Sequence, residues 1–361
     1  LLTFSVYTPK FGVLDRMSIQ YFLLSITVFI TIALIPFIFK EFKLKKLFYN
    51  PFVLCFGFYF IFAILSITKS INIIESIVRI NQLITFALML LIIVFLVIQR
   101  LIKINHILFI FLFTLVIDLF FSLKTYTELV FNGINYGYEY NQLIVGLQGN
   151  RNILATIIAF RIPLIILLAT RVRNKYLNIF IFIISMLSFF NIFLLSSRAT
   201  FLSIIICLIF IIVFSIVRNY KFGFKHIRKY YITLLYILPC ALAYLLSTQM
   251  IDTKDRGNVS SRVSTIVSTD DESKNTRLRY YSQSISHIKE NLFLGAGIGN
   301  WKIVSIKYDK DYIRNYIIPY NAHNDILEAT AETGIFGGIF FLLFYIYMVV
   351  YLLKHFKFRY N

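Results

Sequence analysis

The sequence predicts an all-α integral membrane protein: a polytopic helical bundle of about nine or more spanning helices, with one large loop outside the bilayer. Three observations predict it. Hydrophobic residues make up 59% of the chain and charged residues only 15%, against roughly 25% charged in soluble domains. Apolar runs long enough for spanning helices of about 20 residues recur at roughly 17–39, 47–68, 74–98, 104–123, 152–170, 176–195, 199–217, 231–248 and 326–352. The connections between these runs alternate between strongly basic and weakly basic.

Taken in order, residues 1–123 form an N-terminal group of helices. The chain begins at Leu1, and residues 1–9 read as the end of an earlier helix, so a truncated N-terminus is expected. The first long run lacks the short apolar core and small-residue cleavage site of a signal peptide. Residues 124–248 form a central group of helices that opens with a loop at 124–151, rich in Tyr and Asn and ending in Gly149-Asn150-Arg151-Asn152. Tyrosine and asparagine there suit sugar binding; the plainer reading of any single Tyr is the aromatic belt of a membrane interface.

Residues 249–322 form the large loop. It starts with a polar stretch holding Asp252, Asp255, Arg256, Arg262, Asp270, Asp271 and Glu272. An amphipathic helix is expected next, since Leu278, Tyr281, Ile285, Ile288 and Leu292 recur at three- and four-residue steps; Asn275 or Thr276 could cap it. The run Gly295-Ala296-Gly297-Ile298-Gly299-Asn300-Trp301 resembles a dinucleotide fingerprint only superficially, because it follows a helix and opens no βαβ unit. A tight turn returning the loop to the membrane is the better reading. Residues 323–361 form a last helix and a basic tail.

A net charge of +19 is of the kind that binds nucleic acid, but its distribution reads as a membrane topology signal instead. Basic residues cluster at Lys40, Lys43, Lys45 and Lys46, at Arg100 and Lys103, at Arg171, Arg173 and Lys175, at Arg218, Lys221, Lys225, Arg228 and Lys229, and at Lys354, Lys357 and Arg359. These are alternate connections, so the positive-inside rule makes them cytoplasmic. The loops at 124–151 and 249–322 and the turn at 196–198 then lie outside. Cys55, Cys207 and Cys240 all fall in apolar segments without metal-type spacing and read as buried small hydrophobes. Asp270, Asp271 and Glu272 are consecutive in a polar loop and read as solvated. No cofactor or metal is expected.

His323 stands where the long loop enters the last apolar segment, an unusual place for a group that titrates near neutrality. In a continuous helix, His323, Thr330, Gly334 and Gly337 would share one face and Asp325, Glu328 and Glu332 the opposite one. The glycines would leave room for another helix or a substrate; the plainer alternative is a capped helix with a small-residue packing face. Arg198, in a short turn between two apolar segments, and Arg277, at the start of the amphipathic helix with Arg279 beside it, suit a diphosphate. Either could instead snorkel to lipid headgroups. Arg161 lies midway along an apolar segment and needs a partner, with Asp118 and Glu75 as candidates. Arg79, four residues after Glu75, could pair with it along one helix face.

Three motifs in order carry a family resemblance: Arg198-x-x-x-Leu202, then Thr276-Arg277-Leu278 through Gly295-Ala296-Gly297-Ile298-Gly299, then His323-Asn324, nine residues and Gly334-x-x-Gly337. With Gly149-Asn150-Arg151-Asn152, the chain over about 145–345 resembles the O-antigen ligase and polymerase superfamily of bacterial membrane glycosyltransferases. The resemblance implies a GT-C-like helical fold in the inner membrane, an active site facing the periplasm, and an undecaprenyl-diphosphate-linked glycan as donor. It implies inverting transfer without metal or nucleotide sugar. Arg198 and Arg277 would bind the donor diphosphate and His323 would act as base, with Asn324, Arg161, Arg279, Gly334 and Gly337 in support. The acceptor implied is lipid A–core for a ligase, another glycan for a polymerase, or protein Ser or Thr in a related branch. A transporter for lipid-linked sugars is the rival reading, against which the sequence shows no inverted repeat and no pair of broken helices. Members commonly carry more helices than nine, which fits missing terminal segments or a reduced form.

Overall fold

The structure, a computed structural model, describes residues 16–38, 49–132, 142–172, 174–222, 228–250, 272–313 and 319–358. Residues 1–9, the basic residues at 40–46, the middle of the 124–151 loop and the acidic residues from Asp252 to Asp271 lie outside the described residues. Eleven α-helices stand among those described: α1 (Arg16–Ile38), α2 (Pro51–Ser66), α3 (Ile73–Ile98), α4 (Ile104–Phe131), α5 (Arg151–Arg171), α6 (Lys175–Leu195), α7 (Arg198–Phe222), α8 (Arg228–Met250), α9 (Glu272–Glu290), α10 (Trp301–Asp309) and α11 (Asp325–Phe358). A 3-10 turn, Ile67–Lys69, follows α2.

The chain is therefore an all-α, multi-pass membrane protein. Among the described residues seven helices, α1 to α6 and α11, are long and apolar enough to cross a bilayer. The two further runs expected to span are helical as well, but their described apolar stretches, Arg198–Val213 and Leu234–Gln249, are shorter. Asparagine starts several spans. Asn50, Asn150, Asn174 and Asn324 each accept a hydrogen bond from the second backbone N–H beyond them, at 2.8 to 3.1 Å; in the bilayer interface such caps satisfy donors the helix leaves open. α4 runs on to Phe131 rather than ending near 123, supported by the Lys124–Glu128 pair at 3.7 Å. α9 begins at Glu272, so Asn275 and Thr276 lie in its first turn and do not cap it.

The chain forms two compact units. One is Leu96–Thr269, whose helices are α4 to α8. Its core is continuous and aliphatic: Leu108, Leu112, Leu115 and Leu119 of α4 cluster with Leu154, Ile158 and Ile162 of α5 and with Ile181 and Phe189 of α6. Some polar side chains inside it are paired, while the buried Ser185 hydroxyl has no hydrogen-bond partner among the described residues. Asn191 donates to the Ser122 hydroxyl at 2.8 Å, and Arg161 pairs with Asp118, which also accepts from Gln148 at 3.3 Å. Asp118, not Glu75, is thus the partner of the mid-helix arginine.

The other unit holds Ser18–Phe95 and Asp270–Asn361. Here α2 and α11 run antiparallel, joined by an aromatic ladder: Phe52 stacks on Phe344 (4.1 Å between centroids), Phe58 on Phe340 (4.9 Å) and Phe62 on Phe336 (5.6 Å). Such pairs are each worth about 0.5–1.5 kcal/mol beyond the area they bury. On α3, Glu75 and Arg79 do not pair with each other. Glu75 meets Lys302 at 2.7 Å and Arg79 meets Glu328 at 3.7 Å.

Candidate functional site

α11 is not continuous. Gly334 has φ 79° and ψ 177°, and the helix breaks there, so the four residues expected on one helical face do not share it. His323 lies before the helix, with a left-handed φ of 55°. A break inside a span leaves backbone groups that need partners in a medium that offers none. The glycine run supplies them: Ala296 N–H donates to the Ala331 carbonyl (2.8 Å), Gly297 N–H to that of Glu332 (2.9 Å), and Ile335 N–H to that of Leu292 (2.8 Å). The approach is close enough that a Cβ on Gly334 would meet the Phe293 carbonyl, and one on Gly295 that of Ala331. What comes near Gly334 is therefore the loop's own backbone, while a Cβ on Gly337 would meet Thr333 and Phe62. The expected tight turn is present, and it is the splint of a broken membrane helix.

The other side of the turn is tied to the α2–α3 connection. Ile298 N–H donates to Ser66 Oγ (3.0 Å), Ser76 Oγ to the Ile298 carbonyl (2.6 Å), and Asn72 N–H to Asn300 Oδ1 (2.7 Å). The loop and that connection consequently lie on one side of the membrane, as the alternation of basic connections requires. Glu332, 6% exposed, accepts from Trp301 N–H at 3.2 Å.

This scaffold holds His323 from three directions. Asn324 caps α11. Glu328 reaches back to accept the Ala322 N–H at 2.8 Å. From α9, Tyr280 stacks on the imidazole (5.8 Å between centroids, 13° between planes) and Tyr281 donates its hydroxyl to the His323 carbonyl at 3.1 Å. A left-handed histidine costs about 1–2 kcal/mol, and these contacts hold it there. His323 as a whole is exposed, with one ring face covered. Desolvation of that face lowers its pKa, and the positive charge of Arg277 lowers it further. Both effects favour the neutral imidazole, the form that accepts a proton.

Arg277 is exposed and forms no ion pair among the described residues. Arg279, its neighbour, does not join it. Its Nε lies 3.0 Å from Asp309 Oδ1 and its guanidinium sits 4.3 Å over the Tyr312 ring, tying α9 to α10. Arg198 begins α7 in the other unit, half-buried, just past the left-handed cap Ser196. Arg161 is likewise in that unit and engaged with Asp118. The structure thus brings Arg277, His323, Asn324, Gly334 and the glycine run together in one unit. Tyr280, Tyr281, Glu328 and Arg79 join them without any local motif that would have announced them. Beside His323's segment, a cleft of about 180 Å³ is lined by Tyr59, Arg79, Gln82, Asp325, Glu328 and Glu332, among others. Carboxylates and an amide can hydrogen-bond sugar hydroxyls, and aromatic rings can stack on a sugar's C–H face.

Compared with known proteins, residues 158–342, just over half of the chain, match the sequence model of a family described as O-antigen ligase. No curated protein and no solved structure matches the chain.

Proposed function

Because the chain belongs to the O-antigen ligase family, whose members are glycosyltransferase-like enzymes, we propose that it transfers a glycan from undecaprenyl diphosphate to a hydroxyl of lipid A–core at the periplasmic face of the inner membrane. The observation that carries the reading is His323: exposed, held in a strained conformation and biased toward its neutral form beside an exposed arginine. Strain of this kind collects at working sites.

In the proposed reaction the His323 imidazole takes the proton of the acceptor hydroxyl. The oxygen attacks the anomeric carbon of the donor, and the bond from that carbon to the diphosphate breaks with inversion. The undecaprenyl diphosphate leaves with the electron pair, and Arg277 offsets the charge that develops on it. Arg198 is proposed as a second diphosphate ligand on the family resemblance alone. The cleft lined by Glu328 and Glu332 would take the acceptor's other hydroxyls. The family as a whole covers ligase and polymerase roles in O-antigen processing, so the test separates them. Purified protein is incubated with undecaprenyl-diphosphate glycan, with and without lipid A–core. Glycan on lipid A–core, absent with His323→Ala, supports the ligase. Longer lipid-linked chains without lipid A–core would make it a polymerase, and the absence of both products would overturn transfer to lipid A–core or glycan in favour of a protein acceptor or a transporter.

A further inference from the structure

α9 packs with the wrong face for a helix in a water-filled loop. Only one edge of the apolar stripe read from the sequence covers the interior: Ile288 packs against Trp301, Ala322 and Ala331, and Tyr281 is half-buried. Leu278, Ile285 and Leu292, at seven-residue steps, are all exposed, and Phe293 beyond them is 66% exposed. The face turned inward is polar: Gln283 donates to Asp309 at 2.6 Å, and Ser284 and His287 are buried with it. At about 100° per residue, Arg277 and Lys289, both exposed, flank the apolar stripe on its two edges.

The end of this stripe is fixed in depth. The Leu292 carbonyl accepts from Ile335 N–H, and the Phe293 ring lies 6.4 Å from that of Phe336. Phe336 is 44% exposed, just beyond the break at Gly334 in a membrane-spanning helix. The exposed surface of Leu292 and Phe293 is continuous with the lipid-facing belt of α11, and that continuity names its occupant.

We propose that α9 is an interfacial helix, lying along the bilayer surface with Leu278 and Ile285 in the acyl boundary and the turn that follows it, with Leu292 and Phe293, dipping below. Arg277 and Lys289 would reach back to the lipid phosphates, the arrangement of amphipathic helices at membrane surfaces. The large loop is then a membrane-docked platform. It holds Arg277 at the depth of lipid phosphates, and with it the Tyr280–Tyr281 clamp on His323. This inference does not depend on the proposed transfer.

Trp301 is the only tryptophan of the chain and is buried, so an added one can be read against a constant background. Ile285→Trp, Leu292→Trp, Phe293→Trp and, as a control on the polar exposed face, Ser286→Trp are each placed in nanodiscs whose acyl chains are brominated. The emission added at positions 285, 292 and 293 is expected to be quenched by the bromines and little affected by aqueous iodide, with Ser286→Trp showing the reverse. Iodide quenching at 285 and 293 equal to that at 286 would overturn the proposal. Shielding of these positions from both quenchers would also overturn it, because a protein surface would then cover the stripe.

Discussion

The two units of this protein solve the problem of the bilayer differently. In the unit of α4 to α8, helices run unbroken at their contacts, 56% of the spanning window of α6 is buried, and the core is leucine and isoleucine. Its mid-helix charge is closed off by a partner in the same unit, Arg161 on Asp118. In the unit of α1 to α3 and α9 to α11, only 22% of the α11 window is buried. That unit is held by an aromatic ladder, a broken helix and a loop whose backbone completes it. Regular helices satisfy their own backbone and leave nothing to position a reactive group. The irregular unit has spare backbone groups that bind its loop to the broken helix, and the same loop carries the tyrosines that hold His323.

The largest effect expected from breaking this contrast is on His323. His323→Ala should lower the transfer rate by about 10²- to 10⁴-fold, the usual worth of a general base, with the thermal unfolding midpoint in detergent unchanged. Arg161→Ala tests the opposite unit. It leaves Asp118 buried without its cation, a loss of about 3–5 kcal/mol, and should lower the unfolding midpoint while leaving the pH dependence of the surviving activity as it was. A shifted pH profile in that variant would erase the distinction between the units. Gly334→Ala forces a side chain into a backbone region open almost only to glycine, costing about 1–3 kcal/mol before any collision with Phe293. Hydrogen exchange should show its opening in the glycine run, at 295–299, rather than along α5. The smallest effect belongs to Tyr281→Phe. Losing one hydrogen bond worth about 1 kcal/mol should reduce turnover several-fold and leave the apparent KM for donor nearly unchanged; an equal rise in KM would assign Tyr281 to binding instead.

Much of the architecture was legible in the chain. Apolar runs marked seven described helices long enough to span, though not all nine expected, and the charge at Arg161 demanded a partner that Asp118 provides. His323 at the mouth of α11, and the turn after α9, were readable because glycine and histidine have few reasons to occur there. What escaped depended on distant pairings. Gly334 looked like a packing glycine, since nothing local says that Leu292 and Phe293 will come to meet it. Glu75 and Arg79 have the spacing of a helical pair, yet Lys302 and Glu328, more than two hundred residues away, take them. The stripe of α9 was visible, but periodicity alone cannot say whether an apolar face meets protein or lipid.

The central claim is that His323, tuned by Arg277, works as a base in its neutral form. The direct measurement is the pH dependence of kcat/KM for transfer in the wild type and in Arg277→Gln. A neutral base works above its pKa, so activity in the wild type should fall on the acid side at a pH below the ordinary histidine value of about 6.5. Removing the positive charge of Arg277 lets the His323 pKa rise, and that acid limb should move to higher pH. An acid limb that stays in place in Arg277→Gln, or that survives in His323→Gln, would contradict the account.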